Sequence, residues 1–113
     1  MARTEITRYK YDFRNTAEEN VAIVLLLNND ELICMAAFID NDEQELPPPR
    51  EALNGVIYVT YRYKWLKDLV DMLRNEEPIY FSYSRESQVA IISTEEEAIG
   101  EEERKGLLKY IFG

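Results

Sequence analysis

The 113-residue sequence predicts an α+β fold, an antiparallel sheet in the order ββββ-α-ββ with one main amphipathic helix packed on it and a short C-terminal helix. Three observations predict this class. Apolar residues recur with a period of two, or in short unbroken runs, over separate segments on both sides of the middle of the chain. One segment, Lys64 to Pro78, changes to the 3.6-residue period of a helix. Turn-forming residues, rather than long linkers, separate most of these segments. Residues 1–103 read as a single domain of ordinary size and residues 104–113 as a short tail.

Between Thr7 and Arg14, Tyr9, Tyr11 and Phe13 alternate with Arg8, Lys10, Asp12 and Arg14, which predicts a half-buried strand. The polar "NTAEEN" leads into "VAIVLLL", Val21 to Leu27, whose lack of alternation predicts a central strand covered on both faces. "NND", Asn28 to Asp30, is turn chemistry because Asn and Asp tolerate left-handed backbone, and it joins that strand to "ELICMAAFI" as a hairpin. Asp40 to Asn54, "DNDEQELPPPREALN", has no sustained apolar period, and its three prolines lack the N–H a ladder requires. It reads as an exposed loop with a polyproline II element, a rigid connector rather than a PxxP ligand.

"GVIYVTYRY" is the fourth strand, with Val56, Tyr58 and Thr60 on one face and Ile57, Val59 and Tyr61 on the other. In the helix, Leu66, Leu69, Val70 and Leu73 form one stripe, Trp65 and Met72 flank it, and Lys67, Asp68, Asp71 and Arg74 face away. Leu69 and Leu73 are expected to be buried against the sheet; Asn75 caps the helix near its end and Pro78 stops it. "PIYFSY" and "QVAIIST" form a second hairpin through "SRESQ", and Leu107, Leu108 and Ile111 space a terminal amphipathic helix.

The inventory excludes much chemistry. Histidine is absent, which removes the usual general base, the activator of Ser and Cys nucleophiles and the commonest zinc ligand. Cys34 stands alone inside an apolar strand, so it forms no intrachain disulfide and reads as a buried small hydrophobe. No catalytic residue, metal or cofactor is expected. The longest apolar run is the seven residues of "VAIVLLL", too short to span a membrane, and the N-terminus builds no secretory core, so the expected location is cytoplasmic.

"STEEEAIGEEERKG", Ser93 to Gly106, carries the densest charge. Consecutive glutamates on an extended chain point to opposite faces, and the Asp/Asn-rich start of a calcium loop is missing. The run from Glu95 to Glu103 reads as a solvated boundary that holds no metal, with a patch for a basic partner as the alternative.

The net charge of -9 is unevenly spread. Residues 1–14 carry Arg3, Arg8, Lys10 and Arg14 against Glu5 and Asp12, and residues 62–74 carry Arg62, Lys64, Lys67 and Arg74 against Asp68 and Asp71. Nine acids against Arg50 alone occupy residues 15–61. An acidic whole repels phosphate at long range, but a local basic patch acts at short range. Eight tyrosines add a second signal, since aromatic rings on a sheet beside cations hold single-stranded nucleic acid by stacking and phosphate contact. Arg8, Lys10, Arg14, Tyr61, Arg62, Tyr63 and Lys64 are the candidate residues for that role. The competing reading is structural, because tyrosine is a favoured strand residue.

"DLVDMLRNEEPIYFSY" followed by "ISTEEEAIGEEE" resembles a pattern in small uncharacterised bacterial proteins, in which a helix ending Leu-Arg-Asn-Glu precedes a Pro-led strand and an acidic ending. The likeness covers the second half of the chain and implies no activity or site residue. At the level of topology, four strands followed by a helix is similar to the unit of Whirly-type and PUR-type single-stranded nucleic-acid binders, which implies intertwined or dimeric assembly. The expected function is a noncatalytic binding or regulatory domain, a homodimer acting through protein contacts with an unidentified partner. Single-stranded nucleic-acid binding with a Whirly/PUR-like architecture is the alternative.

Overall fold

A computed structural model of the protein describes residues 2–14 and 20–95. The α+β class holds, with antiparallel pairing dominant and one helix packed on the strands, but the ββββ-α-ββ order does not. Eight strands form two sheets among the described residues. β1 (Arg3–Ile6), β7 (Ile79–Ser84) and β8 (Val89–Thr94) make a three-stranded sheet in the order β1-β7-β8. β2 (Arg8–Phe13), β3 (Asn20–Asn28), β4 (Glu31–Ile39), β5 (Arg50–Glu51) and β6 (Ile57–Arg62) make a five-stranded sheet in the order β2-β3-β4-β6-β5. The predicted terminal helix and most of the acidic run, residues 96–113, lie outside the described residues, as does most of the "NTAEEN" connection.

The first departure lies before Thr7: the strand expected from Thr7 to Arg14 forms as β2, but β1, which was not expected, precedes it in the other sheet, and Thr7 is the corner between the two. Ile6 is buried on an even position, whereas Tyr9 packs on the core from an odd one, so the apolar phase slips between them. One continuous ladder cannot place both inward. The chain switches sheets instead, and the corner is tied to the next hairpin: the Thr7 N–H donates to the Leu27 carbonyl at 2.9 Å, Asn28 Nδ2 donates to the Glu5 carbonyl at 2.9 Å, and the Asn29 N–H donates to Thr7 Oγ1.

The Asn29 turn forms as expected, with Asn29 at φ 55, and β3 and β4 pair as an antiparallel hairpin. Alternation is present in β3 after all. Ala22, Val24 and Leu26 are fully buried, while Val21, Ile23, Leu25 and Leu27 are only half-buried. The second face of this strand is therefore covered in part, not fully as expected. Part of its cover is the proline run: Pro47 and Pro48 enclose a cleft of about 280 Å³ with Ile23, Met35, Ala37 and Tyr58.

The second departure is that β4 and β6 pair in parallel, Cys34 opposite Ile57 through Ile39 opposite Arg62. Parallel neighbours require a long crossover, usually a helix. Here residues 40–56 supply it, with the extended proline run and the two-residue β5 returning beside β6. Gly55 turns this connection at φ +84, where a side chain would be strained.

After Arg62 the chain enters a 3-10 turn, Tyr63–Trp65, and then α1, Leu66–Asn75. Leu66, Val70 and Leu73 are buried and Leu69 and Met72 half-buried against the same core, so the expected stripe holds while Leu69 sits at its margin. Asn75 is the last helical residue, and extended Glu76 is the cap, its N–H donating to the Met72 carbonyl at 3.0 Å. The Glu77–Pro78 peptide is cis. The second hairpin forms as expected, with Gln88 at φ 54 in its turn. A single core joins both sheets and the helix, with Phe38, Leu26, Val24 and Cys34 at its centre.

Candidate functional site

β2 is an edge strand of the five-stranded sheet, and its register with β3 puts Tyr9, Tyr11 and Phe13 on the core face opposite Leu26, Val24 and Ala22. Tyr9 packs against the core cluster, whereas Tyr11 and Phe13 are exposed and line a groove with α1. Phe13 remains 63% exposed, and the two rings meet edge to face with centroids 5.8 Å apart. The 3-10 turn brings Tyr63 and Lys64 to the same place, and α1 adds Lys67, Asp71 and Arg74 over a floor of Leu66 and Val70. The result is an open groove of about 390 Å³ with three aromatic rings and three cations. Trp65 stands beside it, 51% exposed, with Lys64 Nζ 5.6 Å from its ring centre.

The groove gathers two of the seven residues expected to hold nucleic acid, Tyr63 and Lys64. The rest are distributed elsewhere. Tyr61 is half-buried and stacks on Phe38 at 5.4 Å; burial, then the neighbouring Cys34, pushes its phenol up to about 12. Arg62 donates from Nη1 to the Asn41 carbonyl at 2.8 Å, where it holds the start of the crossover. Lys10 pairs in register with Leu25, on the sheet face opposite the groove. Arg8 makes an exposed ion pair with Asp30 at 2.7 Å. Arg14 follows β2, exposed, with its N–H donating to the Val21 carbonyl at 2.9 Å.

Tyr11, Phe13, Lys67 and Arg74 belong to the groove and were outside the expected set. Their separate patterns are visible in the sequence, since Tyr11 and Phe13 share one strand face and Lys67, Asp71 and Arg74 follow helical spacing. What brings them together is the edge position of β2 under α1, which no local pattern encodes.

A second polar cluster lies on the outer face of the small sheet. The Arg3 guanidinium sits 3.9 Å from the Tyr80 ring centre and reaches Glu95 Oε1 at 2.9 Å. A hydrogen bond from Tyr80 holds the Glu95 carboxyl below the usual carboxylate range, and the same bond raises the Tyr80 phenol. Arg3 and Glu95 neutralise each other there, and the cluster fastens the end of β8 to β1 and β7. Among the described residues, no three carboxylate or thiol side chains converge as a metal site. No family model, no curated protein and no solved structure matches the chain.

Proposed function

We propose that the protein is a noncatalytic binding module, working in the cytoplasm as a homodimer, whose groove between β2 and α1 receives an acidic segment of a partner protein that also carries apolar side chains. One observation carries this reading: Tyr11, Phe13 and Tyr63 converge with Lys64, Lys67 and Arg74 on a single open groove of an otherwise acidic chain. Exposed aromatics and arginine are the side chains that dominate protein interfaces. The cations select negative charge, and the apolar floor of Leu66 and Val70 gives the partner's side chains a place to lose water.

Single-stranded nucleic acid is the second reading, favoured by Tyr63 and Lys64 lying side by side with other rings. A strand of several nucleotides requires a continuous cationic track. Arg8, Lys10 and Arg62 lie away from the groove, and Asp71 interrupts its cations. The net charge of -9 repels any anionic ligand at long range, and repels a polyphosphate, charged at every nucleotide, more than a short segment of a few carboxylates.

Trp65, the single tryptophan, reports on the groove, so its fluorescence can follow a titration with a peptide of alternating glutamate and phenylalanine and, separately, with a short oligothymidylate. The peptide is expected to bind, and Lys64→Glu combined with Lys67→Glu is expected to abolish the change. Oligothymidylate binding that weakens steeply with salt, with no response to the peptide, would transfer the groove to nucleic acid.

A further inference from the structure

Among the described residues the two sheets present four edges, and three of them carry the features by which proteins discourage strand addition. The outer strand β2 bears Arg8, Lys10 and Asp12, and β1 bears Arg3 and Glu5. At the opposite edge of the large sheet, β5 is two residues long, charged and preceded by prolines. β8 has none of these protections. Val89, Ala90, Ile91, Ile92, Ser93 and Thr94 include no charge and no proline, and they pair with β7 in regular register without a bulge. Among the described residues nothing pairs with the far side of this strand. Val89 and Ile91, on the outer face, are 43% and 41% exposed.

We propose that the dimer of the functional reading, on which this inference rests, forms by antiparallel pairing of β8 with β8 of a second copy, with Ile91 opposite Ile91 across a two-fold axis normal to the sheet. That register places Ala90 opposite Ile92, so the inner residues that pack on the core continue it into the next protomer. On the outer face it places Val89 opposite Ser93 and covers Ile91 with its own copy. Residues directly opposite on an antiparallel pair share a face, and a two-fold axis normal to the sheet keeps outer faces together, so this register joins like faces. A second copy is the occupant because β8 is self-complementary in this register and opposes no like charges, even though each protomer carries -9. The joined small sheets form one continuous sheet in the order β1-β7-β8-β8-β7-β1, and no residue of β8 lines the groove.

Cysteine cross-linking in the full chain tests the register. Cys34 is fully buried, so Ile91→Cys adds one accessible thiol at the axis, where paired Cα atoms fall within the range a disulfide spans. Mild oxidation is expected to convert Ile91→Cys to a covalent dimer, while Val89→Cys, offset from the axis, stays at least about tenfold less cross-linked. Sedimentation equilibrium of the full chain is expected to show a dimer, and Ile91→Lys is expected to raise its dissociation constant at least about tenfold with the fold retained by circular dichroism. A monomeric full chain, a dimer unmoved by Ile91→Lys, or equal cross-linking at positions 89 and 91 overturns the proposal. Peptide titration of the Ile91→Lys variant, whatever its oligomeric state, keeps the two readings apart, since retained groove binding shows that a failed cross-linking or dimer result bears on the dimer geometry alone.

Discussion

Tyr61, Arg62 and Tyr63 are consecutive, yet they enter three environments because β6 ends at Arg62 and the chain turns into the 3-10 segment. Alternation alone places Tyr61 inward with Val59 and also assigns Tyr63 to that face. Only the end of the strand releases Tyr63 to the groove. The residue scale was therefore legible for Cys34, which sits in an apolar run, and not for Tyr61, expected among the nucleic-acid contacts but packed on Phe38, nor for the cations, whose partners come from other elements. Burial pushes the Cys34 thiol from 9.0 up to about 12, and burial with Cys34 nearby pushes the Tyr61 phenol from 10.0 up to about 12. The folded state thus holds two protons that the unfolded chain releases earlier. Their stabilisation is complete below about pH 9 and is lost as pH rises towards about 12, on the order of 1 kcal/mol per pH unit for each group. Denaturant melts across that window are expected to show the decline, and a thiol reagent at neutral pH is expected to modify Cys34 only as fast as the protein unfolds. At the groove, Phe13→Ala is expected to leave the melting temperature nearly unchanged because the ring is 63% exposed, and to weaken peptide binding about tenfold.

At the scale of elements, α1 was the easiest to read, because its stripe of Leu66, Val70 and Leu73 is sustained through three turns. Leu73→Ala is expected to cost about 2 to 5 kcal/mol in chemical denaturation, with Leu69→Ala, at the margin of the stripe, costing less. The corner at Thr7 left a fainter mark. Ile6 and Tyr9 are out of phase, and a phase slip within one apparent strand marks either a bulge or a change of sheet. The hydrogen bonds that decide between these come from Asn28 and Asn29, 23 and 22 residues along the chain from their partners Glu5 and Thr7. Thr7→Val removes the acceptor for the Asn29 N–H and is expected to cost about 0.5 to 1.5 kcal/mol, checked by the same denaturation. The parallel pairing of β4 with β6 was not legible because its crossover contains no helix, the usual sign of such a connection.

At the scale of the molecule, which carries a charge of -9, salt acts in opposite directions on the two proposed contacts. Salt screens repulsion between two acidic protomers, so β8 pairing is expected to tighten as salt is raised, whereas attraction of an acidic peptide to Lys64, Lys67 and Arg74 is expected to weaken. Sedimentation equilibrium and peptide titration in parallel salt series check the two slopes. The division into two sheets was hidden because each strand taken singly has the same local pattern in one sheet as in two. The groove was hidden for a related reason: it exists only where the edge of one sheet meets the helix that covers it. Chemical-shift mapping of the isotope-labelled full chain during titration with the glutamate-phenylalanine peptide tests the central claim most directly. The reading predicts saturable shifts clustered at Tyr11 to Phe13 and Tyr63 to Arg74, lost in the Lys64→Glu, Lys67→Glu variant; shifts confined to β8 or to the proline-covered sheet face, with the groove silent, would contradict it.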